Sequence, residues 1–369
     1  MRTTRTLLGS AGLAALTLLL AACGGSEGAA APVGATAASP SAVASSFAPT
    51  TVTLLTHDSF ALTEQLLTDF QKRSGITVKI VTGGDAGELV NKAALTAGNP
   101  EGDVLFGVDN TLLSRALEAG VFDPYVSPAA RDVPAALATA TDGAVTPVDY
   151  GDVCINADDS WFADKGIAVP TSLDDLTEPE YKDLLVVENA ATSSPGLAFL
   201  LATIATYGED GYQGYWGRLR ANGVKVVNGW TEAYEGEYTV GGRGSRPLVV
   251  SYASSPPAEI VYAADPKPTK PTSSVMTSSC FRQVEYAGVL RGTSNPEAAR
   301  AVVDWLLSPE VQADVPLSMF VLPAVEGTPL PDVFVKWAAR PAAPLTLDPA
   351  KIDANRAAWV DAWDQVTLR

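Results

Sequence analysis

Histidine occurs once in this 369-residue chain, as His57 in the stretch Leu55-Thr56-His57-Asp58-Ser59-Phe60. A single imidazole can serve as a catalytic base, a metal ligand, a pocket wall or an inert core residue. As the base of a serine hydrolase it needs a carboxylate to orient it. Asp58 is the next residue along, and adjacent positions on a strand face opposite ways, so it is badly placed for that task. No G-x-S-x-G turn occurs from residue 51 onward, and the one match, Gly24-Gly25-Ser26-Glu27-Gly28, falls in the Ala/Ser/Pro-rich stretch rather than between a strand and a helix. The chain is therefore expected not to be an enzyme and to have no catalytic residues. A structural zinc site is not expected either, since His57, Cys23, Cys154 and Cys280 exhaust the histidines and cysteines. Ferric iron is a weaker alternative, because no Tyr-Tyr pair is present.

Ligand recognition has better candidates. Asp58, Asp85 and Asp109 each fall at or just past the C-terminal end of an expected strand, where α/β sheets bind ligands. Each can equally be a helix cap, and Asn110 competes with Asp109 for that role. Trp230 and Tyr234 lie four residues apart, so a helix turns both rings to one side, toward either a ligand or the core. Ser193-Ser194-Pro195-Gly196 opens an expected helix, whose free N–H groups suit a phosphate or hydroxyl, although helix capping explains the serines too. The chain carries 25 Lys+Arg against 42 Asp+Glu, a net charge of −17. Such a surface repels nucleic acid and anionic lipid and favours cations, so a polyamine also fits.

The elements that must position these residues alternate strand and helix. Apolar, β-branched runs at 52–56, 76–82 and 103–109 read as buried strands, separated by a helix with Leu62, Leu66 and Phe70 on one face and by a turn and helix over 83–98, and followed by a helix containing Leu112, Leu113 and Leu117. Asp58 or Ser59 is expected to cap the first helix and Gly75 to end it. A second block has strands at 183–189, 224–229 and 246–253, with helices over 195–208 and 212–223 and another from Trp230. An extended stretch follows at 280–290. Asn295-Pro296 then opens a helix, and a last helix carries the stripe Ile352, Trp359, Trp363, Val366. β-α-β order implies largely parallel sheets with helices on both faces.

Residues 1–22 have two arginines, Arg2 and Arg5, ahead of an apolar small-residue run, which reads as a secretory signal peptide. Leu20-Ala21-Ala22-Cys23 matches the lipobox of bacterial lipoproteins, with Cys23 lipidated. Residues 23–50, rich in Ala, Ser and Pro, are expected to form a disordered tether. The expected location is extracytoplasmic, lipid-anchored to the cell membrane. Two cysteines remain in that oxidising space, Cys154 and Cys280, which suggests one disulfide, free thiols being the alternative.

Several stretches, in order, resemble the thiamine-binding proteins of ABC transporters. They are THDSF (56–60), DVLFGVDNTLL (103–113), PVDYGDVCIN (147–156), ATSSPGLAFLL (191–201), NGWTEAYEGE (228–237), VVSYASSP (249–256), CFRQVEYAGVL (280–290) and SPEVQADVPLSMFVLPA (308–324). The resemblance implies an α/β chain with the two-lobed type II periplasmic-binding-protein fold, each lobe a mostly parallel sheet flanked by helices. Hinge crossover strands would join a first lobe over 51–150 to a second over 151–282, with 283–369 returning to the first. It implies a monomer that captures thiamine, or its phosphate esters, between the lobes and delivers it to an ABC permease, with no cofactor. Thiamine combines an aminopyrimidine, a cationic thiazolium and a hydroxyethyl tail, which call for aromatic faces, carboxylates and hydroxyl or N–H donors. The matching residues are His57, Asp58, Ser59, Asp85, Asp109, Asn110, Tyr150, Ser193, Ser194, Gly196, Trp230, Tyr234, Tyr252, Ser255 and Phe320. Phe320 stands where a larger aromatic is common, and Ala258 where some members have tyrosine. His57 replaces a tyrosine of some members, which favours a flat pocket wall over a base.

Overall fold

The structure, a computed structural model, describes residues 47–138, 143–241 and 244–369. The leader, Cys23 and the tether up to residue 46 lie outside the described residues. The end of the expected tether is already folded: the Phe47 N–H donates to the Ser74 carbonyl at 2.7 Å, and Thr50 pairs with Ile76.

Among the described residues ten strands follow in chain order: β1 (Thr50–Thr56), β2 (Ile76–Thr82), β3 (Val104–Asp109), β4 (Phe122–Asp123), β5 (Thr146–Asp158), β6 (Leu185–Glu188), β7 (Lys225–Val227), β8 (Leu248–Tyr252), β9 (Ser273–Leu290) and β10 (Leu322–Pro323). Their main order is β2-β1-β3-β9-β5-β8-β6-β7. β1 runs parallel to β2 and β3 at one end, and β6 parallel to β7 and β8 at the other. β3 and β6 are buried at every position, which is why they read as unbroken apolar runs rather than alternating ones. β5 and β9, with 13 and 18 residues, run antiparallel through the middle and serve both lobes. Their pairing shifts register between Val153 and Ile155, and Cys154 and Cys280 are joined there by a disulfide.

Several local expectations change for identifiable reasons. The first helix begins only at Glu64, because the Thr63 N–H and hydroxyl are both taken by Asp314, at 2.9 and 2.6 Å. Asp58 and Ser59 are thereby released from capping. Gly75 does end that helix, in the left-handed region at φ 80°. After β3 it is the Asp109 carboxylate, not Asn110, that accepts from the Thr111 and Leu112 N–H groups, in the turn ahead of the helix Leu113–Glu118. Asn110 instead extends the sheet by exchanging bonds with Arg282 and Val284 of β9. The two helices expected over 195–223 run on as Ser194–Ala221, broken at Gly208 by φ 74°, ψ 171°. The last helix runs over Pro349–Thr367. Its fully buried Trp363 meets Trp216 edge-on at 5.5 Å, so the tryptophan stripe packs on Ser194–Ala221.

Candidate functional site

A cavity of about 1040 Å³ opens where the C-terminal ends of β1, β2, β6, β7 and β8 converge. Open α/β sheets place their ligands at such strand ends. His57, Asp58 and Ser59 come from the turn after β1, Asp85 from the turn after β2, and Ser194 from the helix start after β6. Trp230 and Tyr234 follow β7, Tyr252 and Ser255 end β8, and Phe320 precedes β10. Ser59 and Thr231 face each other across the mouth, Oγ to Oγ1 3.4 Å.

Two glycines make room for its rings. Gly107, at φ 101°, sits where a Cβ would lie 2.4 Å from His57 Cδ2, and β3 shifts register against β9 there. At Gly151 a Cβ would lie 2.6 Å from Tyr252 Cδ1. Trp230 stacks on Tyr234, which sits in a π-helical turn at Glu232–Glu237, with centroids 4.9 Å apart and planes 11° from parallel. Its indole N–H donates to Ser251 Oγ at 2.9 Å, and Ser251 is linked to Ser255 at 2.8 Å. The pair therefore presents a braced aromatic wall.

Charge is concentrated and one-sided. Among the described residues lining the cavity are Asp58, Asp85, Glu235, Glu259 and Glu285, with His57 but no lysine or arginine. His57 Nε2 lies 3.4 Å from Glu285 Oε1, a charge contact without hydrogen-bond alignment. Burial favours the neutral ring, but the carboxylates of Glu285, Asp85 and Asp58 together outweigh it and raise the His57 pKa above 6.5. Glu285 faces Asp149 across β5 and β9. Burial and the Glu285 charge push the Asp149 pKa well above the usual carboxylate range. For Glu285, burial acts upward, but the charge of His57 and hydrogen bonding to His57 and Asp149 hold it below the usual range. Burial raises Tyr252 and Tyr234 as well, leaving neutral phenols.

Five expected site residues stand outside the lining. Asp109 is fully buried, bonded to Thr111 and Gln283, and burial pushes its pKa up to about 7. Asn110 is committed to β9. Tyr150 lies under the Arg282 guanidinium, 5.0 Å from ring centroid to Cζ. Ser193 caps the helix through the Gly196 N–H, and Gly196 packs against the Glu188 carbonyl. Residues the sequence reading missed include Glu285, Glu259, Thr231 and Tyr262. Glu285 had a legible signal, an acid inside the apolar run Val284-Glu285-Tyr286-Ala287. Glu259 and Tyr262 sit on a short helical turn, Pro257–Val261, and its end, with no pattern to mark them.

The model for the family of bacterial extracellular solute-binding proteins matches residues 99–348. The thiamine-binding periplasmic protein of Escherichia coli is 30% identical over 328 residues, 88% of this chain and 95% of that protein. Its counterpart in Salmonella typhimurium is 30% identical over 331 residues, 88% and 96% of the two chains. A solved periplasmic thiamin binding protein is similar at a TM-score of 0.76 and 28% identity, covering 86% of this chain and 96% of that one.

Proposed function

We propose, from the premise that this chain belongs to the bacterial extracellular solute-binding proteins, that it captures thiamine outside the cytoplasm for an ABC importer. In this reading it works as a monomer held to the cell membrane by a lipid on Cys23, and the closed form docks on a permease. The observation that carries the reading is the cavity chemistry: stacked aromatic faces beside five carboxylates, with no lysine or arginine among the described lining residues. That suits a flat aromatic cation. His57, Asp58, Ser59, Asp85, Ser194, Trp230, Tyr234, Tyr252, Ser255 and Phe320 are the proposed contacts. The carboxylates also favour a polyamine, and one experiment separates the two. Isothermal titration of the purified protein with thiamine and with spermidine is expected to give micromolar or tighter binding for thiamine alone. Heat from spermidine and none from thiamine would reverse the assignment.

His57 adds a pH dependence. Its protonated form spends the same carboxylates that a cationic ligand needs and repels that ligand. The ring's pKa is raised, so protonation on acidification begins above the ordinary value of 6.5. Affinity is therefore expected to rise with pH through that range and then level off. Titration calorimetry between about pH 5.5 and 8.5 checks this, with His57→Gln expected to flatten the profile. An equal slope in the variant would assign the dependence to another group.

A further inference from the structure

We propose that Glu285 is the counter-ion for the ligand's fixed positive charge, and that it makes the site select a permanently charged ring over a neutral ring of the same shape. The inference rests on the thiamine reading and names the part of the ligand that this residue reads. Glu285 lies within β9, and its register partners on both sides are acids: Asp109 on β3 and Asp149 on β5. Paired residues of neighbouring strands share one face of the sheet, so three carboxyl groups stand abreast. All three are buried, Asp109 and Asp149 fully and Glu285 to 6% exposure. Of the three, only Glu285 lines the cavity.

Their support is unequal. Asp109 is satisfied by the Thr111 hydroxyl, the Leu112 N–H and the Gln283 amide. Neither Asp149 oxygen meets an N–H or hydroxyl donor. Burial acts upward on the pKa of both Asp149 and Glu285. The Glu285 charge adds to it at Asp149, whereas the His57 charge and hydrogen bonding to His57 and Asp149 outweigh it at Glu285. Negative charge thus settles on the member that faces the cavity. Around Glu285 and His57 stand Asp149, Asp109, Asp58, Asp85 and the Tyr252 phenol. The one neighbour able to carry positive charge is His57, at 3.4 Å and without hydrogen-bond alignment, and the described lining has no lysine or arginine. A carboxylate held out of water without a fixed counter-ion is costly, and a cationic ring brought beside it relieves that cost. A neutral ring of the same shape does not.

The test is a calorimetric comparison of thiamine with the analogue in which thiophene replaces thiazolium, at one pH and ionic strength. The wild-type protein is expected to bind thiamine at least about a hundredfold more tightly than the neutral analogue. Glu285→Gln keeps the length and removes the charge, and is expected to bring that ratio below about ten. Glu285→Asp keeps the charge and is expected to hold the ratio above that of Glu285→Gln. Equal affinity of the wild type for the two ligands overturns the charge reading while leaving the thiamine assignment intact, and it does so however the variants fold. An undiminished ratio in a folded Glu285→Gln protein overturns the role of Glu285. Absence of thiamine binding by the wild type overturns the thiamine assignment and this inference with it.

Discussion

Replacing Cys154 and Cys280 together by alanine is expected to lower the stability of the folded domain by about 5 kcal/mol. The two residues are 126 apart in sequence, and closing so long a loop in the unfolded chain is what the chain-entropy model rewards most. A loss of that size rivals the whole stability of many domains, roughly 5–15 kcal/mol. The location adds to it. Both residues are fully buried at the register shift between β5 and β9, where ladder pairing is interrupted. Without the crosslink, the two strands that join the lobes would rely there on the bond from the Ile155 N–H to Ser279 Oγ. Guanidinium denaturation of oxidised wild type, reduced wild type and the double variant measures the effect. A midpoint shift equivalent to under about 1 kcal/mol would mean that the disulfide is incidental.

Trp230→Ala is expected to weaken thiamine binding by about two orders of magnitude, or ~2.7 kcal/mol. Three losses coincide in it. The ligand loses an aromatic face that Tyr234 braces at 4.9 Å. Ser251 loses the indole N–H that donates to it at 2.9 Å. The cavity wall also gains water, which weakens the carboxylate attraction for a cation. Trp230→Phe keeps a stacking surface but no indole donor, and is expected to recover most of the affinity. Calorimetry with circular dichroism as the folding control distinguishes this from a packing role. Unaltered affinity in a folded alanine variant would make the stacked pair a core feature only.

The strands and helices were largely legible, because burial on both faces writes parallel strands as apolar runs such as Val104-Leu105-Phe106. The long central strands were only half legible. Polar residues such as Asp149, Asp152, Ser279 and Gln283 interrupt them, since these strands line a hinge rather than a uniform core. Within the site, Asp58 and Asp85 were readable from their place at strand ends, whereas Trp230 and Tyr252 were singled out by the family resemblance; all four line the cavity. Asp109 has the same signal yet points inward, because nothing in the local sequence distinguishes an acid that caps its own helix from one that faces a ligand. Asn110 was misread for a related reason, its partners being 172 and 174 residues away. Glu285 was overlooked because its importance comes from His57 and Asp149, which only the folded chain brings beside it.

Midway along β9, the Gln283 amide donates at 2.9 Å to Asp109 Oδ2 and at 2.9 Å to Ser194 Oγ. The first acceptor belongs to one lobe and the second to the other, and both residues are buried. A buried acceptor that loses its donor costs far more than a half-stretched bond gains. Partial widening of the cleft is thus penalised before water can enter to compensate. One side-chain amide thus clasps the two sides of the cleft at its base, and its two bonds resist small openings there.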